Sequence, residues 1–154
     1  MRAVAAKKIP KKKISTAASR REEAAKRAEA VRRQLDKAQV GTFDDLVRGC
    51  DPEVQEIARR LQALVFEVIP DAEEVTYLRW RITLYKKRTE ICGIQPAGDR
   101  CNFYLTKGAY LHDPEGILEG TGKLIRHVKV RSVVGTAAES IRELLKQAVE
   151  LSQR

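Results

Sequence analysis

The residues whose types and spacing best suit ligand chemistry lie within residues 113–131, where a glycine-rich segment leads into basic side chains. Glycines in such a run permit backbone angles that other residues avoid. Arg126 and His127 follow at the start of a predicted strand over residues 124–131. Together with Lys123, this pair could hold an anion at the mouth of the turn. The alternative is a sharp turn into an edge strand whose charges are solvated.

The same segment is not a Walker phosphate loop. That motif requires four residues between its two glycines, followed by lysine and then serine or threonine. Five residues separate Gly116 from Gly122, and Lys123 is followed by Leu124. No hydroxyl is therefore placed to bind magnesium.

Carboxylates offer a second kind of chemistry in residues 41–75, where 9 acidic residues face only 3 basic ones. Clustered oxygen donors suit hard cations, including iron bound weakly at a surface. Because a helix of about 17 residues spans roughly 25 Å, its two ends predict two acidic patches rather than one cage. The alternative is an ordinary solvated helix surface. The candidate metal ligands are Glu53, Glu56, Asp71, Glu73 and Glu74.

Basic and aromatic residues form a competing set on the predicted strands. If Trp80, Ile82 and Leu84 point into the core, their neighbours point outward. Such a sheet face can stack single-stranded nucleic acid or bind an acidic protein partner, and it could equally be a solvated face. Its predicted members are Arg79, Arg81, Tyr85, Tyr104, His127, Lys129 and Arg131.

The N-terminal 40 residues carry the whole net charge of +9, since they hold 13 Lys and Arg against 4 Asp and Glu. Residues 1–14 contain five lysines and no apolar periodicity, which predicts disorder, and residues 15–39 predict a helix. Basic arms of this kind often contact nucleic acid. The candidate nucleic-acid contacts are Lys7, Lys8, Lys11, Lys12 and Lys13.

The elements that would position these groups follow from hydrophobic periodicity. Helical spacing predicts a helix from Asp51 to Pro70 and another that Thr136 caps. Alternating patterns between them predict strands. The expected fold is α+β, an antiparallel sheet of about four to five strands covered on one face by two helices. Residues 1–40 form a basic extension, disordered and then helical, and residues 41–154 form the domain.

Composition narrows the functional classes. No stretch reaches the ~20 apolar residues of a membrane span, and the basic N-terminal residues, which lack an apolar h-region, are not expected to act as a secretory signal. Three cysteines without a CxxC pair predict reduced thiols in the cytoplasm. Cys92 and Cys101 are predicted core residues, and Cys50 precedes a helix start. No nucleophile motif or zinc pattern indicates an enzyme.

Residues 113–131 also resemble the glycine-, arginine- and histidine-containing signature of the YdhG-like family. Residues 68–75 and 102–105 are similar to two further segments of that family, and the likeness spans residues 43–148. These small bacterial domains are sometimes grouped with frataxin-type iron chaperones. The resemblance implies a non-catalytic, iron-binding chaperone or adaptor with no tightly bound cofactor. The alternative expectation is a nucleic-acid-associated accessory protein, and a weaker one is an enzyme acting on a small anion at the glycine-rich turn.

Overall fold

The computed structural model describes residues 16–154, except for the side chain of Leu35. The chain divides into two units between Asp36 and Lys37. The predicted disorder of residues 1–14 and the five candidate lysines of the arm lie outside the described residues. None of the described helices has the length and apolar composition that crossing a membrane requires.

Four helices and six strands make up the described chain. The helices are α1 (Ala17–Ala38), α2 (Phe43–Val47), α3 (Pro52–Val68) and α4 (Thr136–Ser152). The strands are β1 (Val40–Gly41), β2 (Glu73–Tyr77), β3 (Ile82–Lys86), β4 (Glu90–Ala97), β5 (Arg100–Leu105) and β6 (Arg126–Val130). A short 3-10 helix, Gly108–Tyr110, follows β5. The α+β prediction is confirmed, with more strands than expected.

The helix boundaries follow local capping chemistry. Thr16 begins α1, because its Oγ1 accepts the Ser19 backbone N–H at 3.2 Å. Thr42 begins α2 with a capping box, in which Thr42 and Asp45 each accept the other's backbone N–H. The prediction that Thr136 caps the last helix is wrong. Gly135, with φ of 57°, occupies the cap position of α4 and Thr136 is already helical.

The sheet is antiparallel throughout and its strands lie in chain order. Within residues 37–154, α3 and α4 pack on one face of it. The core between them contains Phe103, Leu105 and the two predicted core cysteines, Cys92 and Cys101. Cys101 Sγ lies 3.8 Å from the Val54 carbonyl oxygen of α3, which places this phase of the strands toward the helices.

The predicted orientation of β3 is wrong. Thr83 and Tyr85 are fully buried, whereas Trp80 is 55% exposed and Ile82 and Leu84 are half-buried. Thr83 is tolerated in the core because its hydroxyl lies 2.7 Å from the buried Thr76 hydroxyl on β2, so each satisfies the other.

Tyr85 points to the helices because it packs edge-on against Phe66 of α3, with ring centroids 5.6 Å apart. On the opposite face, Gly93 leaves room for the displaced apolar side chains. A Cβ added there would lie 2.8 Å from Leu84 Cδ2 and 3.4 Å from Ile82 Cδ1. The prediction that Tyr85 points outward is therefore wrong, and packing on both faces of the sheet explains its inward orientation.

Candidate functional site

The candidate site is the sheet face turned away from α3 and α4, here called the uncovered face. Strand register aligns its side chains in two rows across the sheet, since facing residues on paired antiparallel strands point the same way. One row runs through Val75, Leu84, Gly93, Tyr104 and His127. The other includes Tyr77 paired with Ile82, and Gln95, Asn102 and Lys129 in register.

Two pairs of rings lie on this face. Tyr77 and Trp80 have ring centroids 5.2 Å apart, and Tyr104 and His127 have ring centroids 5.4 Å apart. The first pair belongs to β2 and the turn that follows it, and the second to β5 and β6. Because the strand order is sequential, β3 and β4 separate the two pairs.

Gln95 of β4 links the two ring pairs by hydrogen bonds. The Tyr104 hydroxyl donates to Gln95 Oε1 at 2.9 Å, and Gln95 Nε2 donates to the Trp80 carbonyl oxygen at 3.2 Å. Asn102 lies beside Gln95 in the ladder, and its Oδ1 is buried without a hydrogen-bond partner among the described residues. The two amide groups are therefore neighbours on β4 and β5, and Gln95 contacts residues of both ring pairs.

Of the predicted basic and aromatic set, the structure brings Tyr104, His127 and Lys129 together on the uncovered face. Lys129 forms an ion pair with Glu119 at 3.7 Å. Arg131 follows the end of β6 and is exposed.

Two predicted members, Arg79 and Arg81, lie in the turn between β2 and β3 instead of on a strand. Arg79 Nη1 donates to the Lys37 carbonyl oxygen at 3.3 Å. Arg81, with φ of 53°, directs Nη2 to within 3.9 Å of Cys50 Sγ. Neither guanidinium therefore joins the His127–Lys129 group.

The glycine-rich turn uses its arginine internally. Arg126 Nη1 donates to the carbonyl oxygens of Gly122 and Ile125, the latter at 2.9 Å. These bonds hold the loop against the strand and engage the guanidinium that was expected to meet an anion. Lys123 is exposed, and the predicted strand begins only at Arg126.

The first acidic patch lies at the start of α3. Glu53 is exposed and Glu56 pairs with Arg60 at 2.9 Å on the same helix. The exposure of these carboxylates and the helical pairing fit the solvated-surface interpretation.

The second acidic patch is distributed differently from the prediction, because Glu73 and Glu74 lie on β2 and not in a loop. Successive strand residues point to opposite faces, so these two carboxylates diverge. Their contacts are Asp71 with Lys87 at 3.2 Å, Glu73 with Lys86 at 3.7 Å and Glu74 with Gln62 at 2.9 Å. Among residues 16–154, no three His, Cys, Asp or Glu side chains group to hold a metal ion.

Burial in the helix-facing core favours the neutral forms of two cysteine thiols and one tyrosine hydroxyl. Burial raises the pKa of Cys101 to about 12, and it also raises the pKa of Cys92. The pKa of Tyr85 is raised by burial and further by the charge of Glu74, its partner across β2–β3. Although Glu74 is near, the Tyr85 hydroxyl makes no hydrogen bond of normal geometry to any described residue. These groups lie on the side of the sheet opposite the uncovered face.

In comparisons with known proteins, no family model, curated protein or solved structure matches this chain. The resemblance to the YdhG-like family rests on its sequence motifs, and the iron chaperone that it implies stays a prediction. Sequence reasoning missed the Tyr77–Trp80 pair. An available signal was their i, i+3 spacing across a hairpin turn.

Proposed function

We propose that this chain is a non-catalytic binding protein that holds single-stranded nucleic acid on the uncovered face of its sheet. The observation that carries the proposal is the pair of ring clusters, Tyr77–Trp80 and Tyr104–His127, on that one face. The proposal develops the accessory-protein alternative drawn from the sequence.

The aromatic rings of the uncovered face can stack on unpaired bases. Bases that are free of a duplex stack on aromatic side chains, and each such contact contributes about 1–3 kcal/mol. Trp80 is 55% exposed, so its ring is accessible to a ligand. In other proteins, a four-stranded sheet with aromatic residues on one open face stacks two or three bases.

Amide side chains on the uncovered face can add hydrogen bonds to bases. Gln95 lies between the two ring clusters, and Asn102 faces it from β5, the strand that carries Tyr104. Amide side chains present both donors and acceptors, so they suit the edges of unpaired bases.

The uncovered face contributes little free positive charge. Lys129 is paired with Glu119, and Lys86, in the same phase of β3 as Ile82 and Leu84, is paired with Glu73. The charge excess resides in residues 1–40, and the rest of the chain holds 17 basic and 17 acidic residues. Phosphate contacts are therefore assigned to the N-terminal arm, and base contacts to the sheet.

The test uses the only tryptophan of the chain, Trp80, as its reporter. Oligothymidylate titrated into the full-length protein at low salt should quench tryptophan fluorescence, whereas a duplex of equal length should bind more weakly. Tyr104→Ala should weaken binding by about tenfold, since one stacking contact is removed. Tyr110→Ala is the matched control, because Tyr110 is 68% exposed outside the sheet.

A second arm separates charge from stacking. Replacing Lys7, Lys8, Lys11, Lys12 and Lys13 by glutamine should flatten the dependence of affinity on salt while the preference for single strands remains. Equal affinity of Tyr104→Ala and Tyr110→Ala for oligothymidylate, or no fluorescence change at all, would refute the proposed function.

A further inference from the structure

We infer that the outer edge of β6 is a second binding site, which takes an extended peptide segment as an added strand. This site is separate from the uncovered face and independent of the proposed function. It consists of the outer edge of β6, where only some backbone groups are hydrogen-bonded, and the cleft beside that edge.

The strand edge is used at one position only. On the side away from β5, His127 exchanges two backbone hydrogen bonds with Glu119, of 2.7 and 2.9 Å. Residues alternate along an antiparallel strand, so Lys129 directs its N–H and C=O to that same outer side. Among the backbone hydrogen bonds of the described residues outside regular helices and ladders, none involves Lys129.

The chain itself cannot continue this pairing, because the preceding loop turns away. The Asp113 carboxylate accepts the N–H groups of Ile117 at 3.1 Å and Leu118 at 2.9 Å. Gly116, with φ of 65°, closes the turn by donating to the Asp113 carbonyl oxygen. By the register of the Glu119–His127 pair, Ile117 would face Lys129, and the Ile117 N–H is already bound to the Asp113 carboxylate.

A cleft of about 610 Å³ lies beside the exposed edge. Its three walls are residues 115–119, the end of β6 and the first turns of α4. Val128, Val130 and Ile141 are buried residues at its base. This volume falls within the roughly 300–1,000 Å³ of typical ligand pockets.

An added strand would have a defined arrangement of side chains. The residue opposite Lys129 would point to the uncovered face, and its two neighbours would point into the cleft. Those neighbours should be apolar, since Ile117, Ala137 and Ile141 line the cleft. Backbone hydrogen bonds would give affinity and the cleft would select side chains, as in other cases of strand addition.

Charge determines which peptide fits best. Lys129 is paired with Glu119, and Glu115 accepts a hydrogen bond from Ser140 at 2.7 Å. Arg131 lines the cleft, is exposed and has no ion pair among the described residues. An acidic residue near Arg131 is therefore favoured. A second copy of β6 would place Lys129 near Lys129, and the lysine-rich arm would meet Arg131, so both are disfavoured.

The test is selection of a random heptapeptide library on the immobilised full-length protein. Enriched peptides should alternate apolar residues and carry Asp or Glu toward one end. The strongest should then be synthesised and titrated. In an amide-exchange experiment, saturating peptide should protect the Lys129 N–H.

Lys129→Pro removes the outward N–H without removing a bond to β5, and proline is tolerated where a strand edge faces solvent. It should weaken peptide binding by about tenfold, as expected when a hydrogen-bond partner is left unpaired. Lys129→Gln is the matched control, with less than about a threefold loss. Arg131→Glu should reverse the preference for acidic peptides, and it tests the site even if the proline variant does not fold.

Equal peptide affinity for the parent protein and a folded Lys129→Pro would overturn the inference. So would enrichment no greater than that on a surface without protein, or acidic preference unchanged by Arg131→Glu.

Discussion

The Tyr104 hydroxyl donates a 2.9 Å hydrogen bond to Gln95 Oε1 and thereby fixes an aromatic ring on β5 to an amide on β4. Gln95 in turn donates a hydrogen bond from its Nε2 to the Trp80 carbonyl oxygen. The partly buried Tyr104 ring is thus held in a fixed position on the sheet, which reduces the entropy lost when a ligand stacks on it.

Tyr104→Phe separates ring stacking from this hydrogen bond. We expect the phenylalanine variant to keep most of the affinity for oligothymidylate, because the ring remains, and to lose about 1 kcal/mol of stability. Fluorescence titration and urea unfolding measure the two effects. Loss of affinity as large as that of Tyr104→Ala would indicate that the hydroxyl contacts the ligand.

Tyr85→Phe removes a buried hydroxyl that has no hydrogen-bond partner among the described residues. Deleting an unsatisfied polar group from a core is neutral or stabilising, since no hydrogen bond is lost. We expect the free energy of unfolding to stay the same or rise. Tyr85→Ala, which also deletes the ring packed on Phe66, should cost about 3–5 kcal/mol. A clear loss of stability in Tyr85→Phe would reveal a hydrogen bond to Glu74.

The orientation of Tyr85 also marks where sequence reasoning succeeded and failed. Strands β4 and β5 were oriented correctly, because Gly93 and Gln95 flank Ile94 on β4 and Arg100, Asn102 and Tyr104 alternate with Cys101 and Phe103 on β5. In β3, residues of both phases are large or β-branched, so local alternation does not decide the buried face. The buried face depends on contacts with other elements, since Thr76 of β2 satisfies the Thr83 hydroxyl and Phe66 of α3 packs on Tyr85.

The candidate site was predictable to a similar extent. The shared face of Tyr104, His127 and Lys129 follows from strand alternation, and the structure has it. The internal use of Arg126 does not follow, because it depends on where the loop carbonyl of Gly122 lies. Strand β2 was missed since Glu73 and Glu74 are poor strand formers and their pairing with β3 is set by register.

Gly108→Ala tests the close approach between the 3-10 helix and β6. A Cβ at Gly108 would lie 2.5 Å from Arg126 Cβ and 3.0 Å from the Arg126 backbone nitrogen. Because backbone cannot yield as a flexible side chain can, we expect a loss of about 1–3 kcal/mol in unfolding free energy.

Gly49→Ala is the matched control for this substitution. Gly49 is exposed and an added Cβ would meet nothing within 4 Å. The unfolding free energy of Gly49→Ala should stay within about 0.5 kcal/mol of that of the parent protein. Urea unfolding of both variants makes the comparison, and equal stabilities would contradict the packing of Gly108 against β6.

Alkaline pH should destabilise the fold through its buried thiols. Burial raises the pKa of Cys101 to about 12, whereas an unfolded thiol has a pKa of about 8.5. The native state therefore retains a proton that the unfolded state releases, so this contribution to stability is complete below pH ~8.5 and is lost as pH rises toward 12.

Urea unfolding of the parent protein and Cys101→Ala between pH 7 and 10 tests the sign. The alanine variant is less stable at pH 7 because a small cavity forms, but its stability should fall less steeply with pH. Parallel pH profiles for the two proteins would mean that the Cys101 thiol does not titrate differently in the folded and unfolded states.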